Sequence, residues 1–205
     1  MKNIDLKQFL EKNKIRKIIS FSGGYRDIND NKERARKAIE ESMIVYQNFP
    51  VAILTGGTEW NLPNDAIEIA KDYGLKVIGV MPKTGEKYKI KNLDKEIVIP
   101  PIYGKSEWCD ESQVFSKMSD GITLIGGGPG TGVEIFQAMK ISLDKIYDEE
   151  TPIFLAPISG FGGIEDLIYK SPFVNQDFMP EKPFNNGTEA AKYLVEKLGL
   201  IKNQF

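Results

Sequence analysis

The chain has 205 residues, with 27 Lys and Arg against 29 Asp and Glu, for a formal charge of −2. That length suits one doubly wound domain over residues 1–205 with a full core, and the balanced charge lacks the basic excess of a non-specific nucleic-acid binder. There is no histidine and one cysteine, Cys109, which removes Ser-His-Asp and Cys-His catalysis, imidazole or thiolate metal sites and an internal disulfide.

Short apolar runs alternate with amphipathic stretches, the pattern of βαβ units around a parallel sheet. Lys17–Phe21 reads as the first strand, ending in Ser22-Gly23-Gly24, with Asn29 or Asp30 placed to cap a helix that carries Ala35, Ala38, Ile39 and Met43 on one face. Val51–Leu54 is a second strand, ending in Gly56-Gly57. Ala66, Ile69, Ala70 and Tyr73 follow the i, i+3, i+4, i+7 spacing of an amphipathic helix, which Gly74 closes. Val77–Val80 is a third strand stopped by Pro82, the lysine-rich residues 83–95 read as a loop or lid, and Ile97–Ile99 is a fourth strand before Pro100-Pro101. A short helix over residues 106–119 precedes the strand Ile122–Ile125. The turn Gly126-Gly127-Gly128-Pro129-Gly130 then opens a helix with Ile135, Ala138, Met139, Ser142 and Leu143 on one face. Pro152–Ala156 is the last strand, followed by the turn 159–163 and a terminal helix over Thr188–Leu198. The fold class is α/β, a Rossmann-like, doubly wound and mainly parallel sheet with helices on both faces.

No apolar run reaches the roughly 18 residues of a membrane span, Met1–Asp5 lacks the apolar segment of a secretory signal, and a lone cysteine fits a reducing compartment. A cytoplasmic protein is expected, with no membrane or nucleic-acid partner, no metal and no bound cofactor. Its acid–base chemistry must come from Asp, Glu, Lys, Tyr, substrate or water.

Four of the predicted strands end in glycines, at 22–24, 56–57, 126–130 and 160–163. Right-handed crossovers bring such turns to one edge of a parallel sheet, where helix N-termini present free N–H groups to an anion. Gly23, Gly24, Gly56, Gly57, Gly127, Gly128, Gly130 and Thr131 are therefore candidate phosphate-binding residues. The turns lack the Gly-Lys-Ser/Thr ending of a P-loop and the G-x-G-x-x-G of a dinucleotide site.

Gly127-Gly128-Pro129-Gly130-Thr131-Gly132-Val133-Glu134 resembles the P-G-G-x-G-T-x-x-E motif of the LONELY GUY (LOG) family, with Gly126 in place of the leading proline. Thr55-Gly56-Gly57 with Asn64-Asp65-Ala66, Val77–Pro82 and Ser119-Asp120 are similar to further family segments. The resemblance implies a Rossmann-like fold, usually dimeric, hence a homodimer or higher homo-oligomer. It also implies phosphoribohydrolase activity on nucleoside 5′-monophosphates, releasing base and ribose 5-phosphate. Glu134 then acts at the ribose as the catalytic carboxylate, and a nucleotide or nucleotide-like small molecule is the partner.

The wider superfamily includes molybdenum-cofactor carriers, so a non-catalytic carrier or sensor of a nucleotide-like cofactor is the alternative. One departure bears on the choice. Active members carry an Arg-Lys pair eight or nine residues before the aspartate equivalent to Asp120, and here Glu111 and Ser112 stand there. Lys105, Lys117 and Arg26 are the candidate replacements. Trp108 reads either as a platform for a base or as a core or dimer-interface residue. Asp110 and Glu111 read as a solvated helix start or as carboxylate partners of Glu134.

Overall fold

The structure, a computed structural model, describes residues 2–26, 30–170 and 176–201. Six strands form one parallel sheet: β1 (Lys17–Gly24), β2 (Val51–Thr55), β3 (Lys76–Pro82), β4 (Lys95–Ile99), β5 (Gly121–Gly126) and β6 (Phe154–Ile158), in the order β4-β3-β2-β1-β5-β6. The helices are α1 (Lys2–Lys12), α2 (Asn31–Tyr46), α3 (Asn61–Asp72), α4 (Ser112–Met118), α5 (Pro129–Tyr147), α6 (Ile164–Leu167) and α7 (Gly187–Lys197). α2 packs between α3 and α7, and α4 packs on α5. Right-handed crossovers to opposite sides of β1 put these two groups on opposite faces of the sheet.

The near-continuous burial of β1, β2, β3 and β5 follows from that double cover. Strands buried on both faces read as unbroken apolar runs, and here Ile19, Ile53, Ile78, Leu124 and Ile125 form the middle of one core. α2 and α3 bury the faces their spacing predicts, including Ala35, Ala38, Ile39 and Met43, and Ala66, Ile69 and Ala70. Gly74 ends α3 at φ +71°, a left-handed position suited to glycine.

Several local expectations change. α1 is a helix that the sparse apolar positions Leu6, Phe9 and Leu10 do not announce, although all three pack on the core. Asp30 precedes α2 in a left-handed conformation and makes no side-chain cap bond, while Asn29 lies outside the described residues. Within 106–119 only Ser112–Met118 is helical. Leu143 is 50 % exposed, because the buried positions of α5 run through Thr131, Ile135, Ala138, Met139 and Ser142 and leave it on the outer flank.

β6 starts two residues later than predicted and contains Pro157. As an outermost strand it tolerates the missing N–H on its free side, and there the segment 178–184 runs alongside, with Leu155 donating to the Phe178 carbonyl (2.8 Å) and Phe184 to that of Pro157 (2.8 Å). Among the described residues no helix is long and apolar enough to cross a membrane.

Candidate functional site

The strand order reverses at β1, which has β2 on one side and β5 on the other. In open α/β sheets, crevices for ligands form beyond the carboxyl ends of the strands at such a switch point. β1 ends there in Ser22-Gly23-Gly24, and β5 in Gly126, followed by Gly127 and Gly128. The two turns interlock: the Gly127 N–H donates to the Gly24 carbonyl at 2.7 Å. Gly126 has φ +61°, and a side chain on it would overlap the Gly24 carbonyl oxygen. The proline of the LOG-type motif cannot occupy this position, since its ring holds φ near −65°.

Above this junction lies a cleft of about 370 Å³, within the range of small-molecule sites. Ser22, Gly23 and Gly56 line it from the strand ends, and Gly128, Pro129, Gly130 and Thr131 from the start of α5. No side chain caps α5, so the N–H groups of Gly130 and Thr131, in its first turn, lie beyond the reach of intrahelical acceptors. A Cβ on Gly128 or Gly130 would meet no atom within 4 Å; these glycines keep the helix end open for close approach of an anion.

Gly24, Gly57 and Gly127 are not among the residues that line the cleft. Gly57 has φ +66°, and a Cβ there would meet Met81 Cε at 2.6 Å and Gly79 Cα at 2.9 Å. A Cβ on Gly127 would overlap the Thr131 side chain. These glycines shape the turns on which the exposed ones rest.

Among the described residues, two carboxyl groups line the cleft, those of Glu111 and Glu134. Glu134, one turn into α5, accepts a short hydrogen bond from the Ser22 hydroxyl. Burial pushes its pKa up to about 7; the Ser22 bond pulls the other way, and the charge of Glu111 adds to the rise. The backbone beneath it is fixed by Ser116, whose hydroxyl donates to the Glu134 carbonyl at 3.0 Å. Glu111, just before α4, is also raised, by burial and then by the charge of Asp110, with backbone N–H groups opposing. Its Oε2 is shut off from solvent with no hydrogen-bond partner. Asp110 is buried and accepts from the Glu107 N–H at 2.9 Å. A solvated helix start is therefore not what this segment forms: Asp110 ties down the loop and Glu111 turns toward the cleft.

An aromatic rim closes one side. Trp60 and Trp108 are 45 % and 48 % exposed, line the cleft, and lie 5.4 Å apart between ring centroids at 46°. Tyr88 backs both, 4.3 Å from Trp60 and 6.3 Å from Trp108. Trp108 is thus neither a core residue nor remote from the glycine turns. Trp60 carried no sequence signal beyond its place before a helix start, because the rim gathers from three distant segments.

Residues 83–95 are pinned rather than free. Lys83–Tyr88 is a 3₁₀ turn, Glu59 N–H donates to the Tyr88 carbonyl (2.9 Å) and Ile90 N–H to that of Gly57 (3.0 Å). Lys83 pairs with Glu86 and Lys89 with Glu96.

None of the candidate replacement cations, Lys105, Lys117 and Arg26, lines the cleft, and no lysine or arginine is among the described residues that do. Asp120 has another role: it accepts from Lys17 Nζ at 3.0 Å and from the Ile18 N–H at 2.8 Å, anchoring the start of β1 beside β5. Asp65 is buried and bound by Tyr25 and Arg36. Among the described residues no group of three or more Cys, Asp or Glu side chains is placed to hold a metal ion.

The fold and site together define a Rossmann-like α/β protein with a small-molecule-sized cleft at its switch point. No protein-family model matches the chain, and no curated protein matches it. Solved structures do. The protein TM1055 superposes with a TM-score of 0.67 at 17 % identity, over 89 % of this chain and 99 % of that one. The molybdenum cofactor carrier protein of Chlamydomonas reinhardtii superposes with a TM-score of 0.66 at 18 % identity, over 90 % and 99 %. The molybdenum cofactor binding protein of Rippkaea orientalis gives 0.60 at 20 %, over 89 % and 97 %. The chain has the fold of these proteins over nearly their whole length, in agreement with the resemblance carried by the Gly127–Glu134 motif.

Proposed function

We propose that the switch-point cleft binds a nucleoside 5′-monophosphate or a close analogue, and that Glu134 promotes hydrolysis of its N-glycosidic bond to base and ribose 5-phosphate. The observation that carries this reading is the placement of Glu134, held by Ser22, beside the open N-terminus of α5 in one cleft. The N–H groups of Gly130 and Thr131 supply donors for the phosphate, with Gly128 leaving room for it. The carboxylate then stands where positive charge develops on the ribose as the bond breaks, and it can position and deprotonate water. A pKa of about 7 lets Glu134 both accept and return a proton near neutrality. The test is chromatographic detection of free base from a panel of monophosphates. Glu134→Gln should abolish release while phosphate-ester binding persists.

A second reading, a carrier or sensor of a nucleotide-like cofactor, is favoured by a specific observation: two carboxyl groups and no lysine or arginine among the described residues lining the cleft. The shared fold with a protein described as a molybdenum cofactor carrier and another described as a molybdenum cofactor binding protein supports it as well. It requires that the wild type binds and never turns over. The homodimer implied by the resemblance would cover exposed apolar side chains such as Phe136, Leu143 and Tyr147 of α5, and sedimentation tests it.

A further inference from the structure

We propose that the base-binding end of the cleft selects a positively charged heterocycle, so that the preferred ligand is a 5′-phosphate ester whose ring nitrogen is quaternised, such as a pyridinium or N-alkylated purinium nucleotide. This rests on the phosphate-binding reading above and names the class of ligand for that site.

Three features of the cleft point the same way. Glu111 and Glu134 both line it, and among the described lining residues no side chain is cationic. A phosphate ester of a neutral base would add negative charge beside two carboxyl groups and bring nothing to offset it. A cationic ring supplies the missing positive charge on the ligand itself.

Glu111 Oε2 is enclosed and has no hydrogen-bond partner. Buried carboxylate oxygens are ordinarily paired, and an opposite charge nearby stabilises the ionised form. A neutral ring with no donor would leave this oxygen as it is.

Trp60 and Trp108 present half-exposed indoles to the same space, 5.4 Å apart between centroids. Tryptophan is the strongest cation–π partner among the side chains, and aromatic cages are a common way to hold quaternary nitrogen. The cluster already holds one cation on its periphery, since Lys87 Nζ lies 4.7 Å from the Tyr88 ring centroid. With phosphate at the start of α5, the rim and Glu111 are left for the ring.

The charge also suits the chemistry proposed for Glu134. When the bond from C1′ to the glycosidic nitrogen of a cationic ring breaks, its electron pair returns to the ring and cancels the ring's positive charge, so the base leaves neutral and needs no proton. The oxygen of water bonds to C1′, and the proton it loses passes to the Glu134 carboxylate and then to solvent. Only water is consumed, and no separate acid is needed for the leaving group.

Calorimetric titration of the full chain with matched ligands tests this. Nicotinamide mononucleotide is compared with its neutral dihydro form, an N7-methylated purine nucleotide with its unmethylated parent, and ribose 5-phosphate serves as the phosphate control. We expect the charged member of at least one pair to bind ten-fold or more tightly than its neutral partner. Glu111→Gln should shrink that ratio severalfold and leave ribose 5-phosphate binding equal or stronger. If neutral members bind as tightly as charged ones in both pairs while ribose 5-phosphate binds, charge selection is overturned and the phosphate reading stands. If ribose 5-phosphate and every nucleotide fail to bind, the phosphate reading falls and this inference with it. The wild-type comparison stands even where Glu111→Gln does not fold.

Discussion

The Ser22 hydroxyl at the end of β1 donates to Glu134 in the first turns of α5, joining the two elements that flank the switch point. A single bond thus couples the sheet edge to the carboxyl group that faces the ligand.

This pair makes stability depend on pH. The pKa of Glu134 is about 7 in the folded chain, against an ordinary value of 4.5. Between these values the folded state holds the proton more tightly than the unfolded state, so stability falls as pH rises from about 4.5 to 7 and levels off above. Glu134→Gln removes the penalty. Relative to wild type it should gain on the order of 2–3 kcal/mol at pH 8 and little at pH 4.5. Urea unfolding at both pH values checks this, and a gain that does not vary with pH would refute it. Ser22→Ala, which deletes the one bond favouring the ionised form, should move the transition to higher pH.

The glycines of the β5–α5 turn should separate into two groups. Gly126→Ala forces a side chain into a left-handed position and against the Gly24 carbonyl, and should cost at least about 2 kcal/mol. Gly130→Ala meets nothing within 4 Å and replaces a glycine near a helix start, so stability should hold or rise by up to about 1 kcal/mol. The same methyl group stands in the cleft and should weaken phosphate-ester binding at least ten-fold. Thermal unfolding and calorimetry on the two variants give both readouts.

Arg36 holds Asp65 on the back of the glycine-turn edge. Asp65 is 3 % exposed and is bound by Arg36 and the Tyr25 hydroxyl. Arg36→Met leaves a buried carboxylate short of its countercharge and should cost about 2–3 kcal/mol, discounted because the arginine itself is partly exposed. Asp65→Asn in the same chain should return at least half of that loss. Equal unfolding midpoints for wild type and Arg36→Met would show that the pair contributes nothing.

The protein has two tryptophans, and both line the cleft. Any ligand that reaches the rim should therefore change the intrinsic fluorescence, by roughly a fifth or more for a stacked ring. Trp108→Phe should halve that change. Ribose 5-phosphate, which has no ring, should leave the emission nearly unaltered while still raising the unfolding temperature.

How much of this was legible in the sequence depended on how local its cause is. β1, β2, β3 and β5 show in their apolar runs because both faces are covered, and α2 and α3 in their spacing. The Gly126–Thr131 turn shows because glycine, proline and threonine at those steps have few other uses. α1 did not show, since Leu6, Phe9 and Leu10 sit among charged residues and gain their meaning from the core they meet. β6 slipped by two residues because Pro152 resembles a strand start and Pro157 a stop, until its outermost position removes the objection. Asp120 was visible as a motif residue, yet its bond to the Ile18 N–H needs β1 beside it. The Trp60–Tyr88–Trp108 rim was out of reach altogether, because no periodicity links positions 60, 88 and 108.

That rim fastens together three chain segments: the entry to α3, the turn after β3 and the loop before α4. Gly85 reinforces it, with space for a Cβ only 3.0 Å from the Trp108 ring. Each ring touches the other two, so the three segments brace one another through Trp60, Tyr88 and Trp108. Replacing either indole should therefore be felt in more than one of these segments, although they lie far apart in the chain.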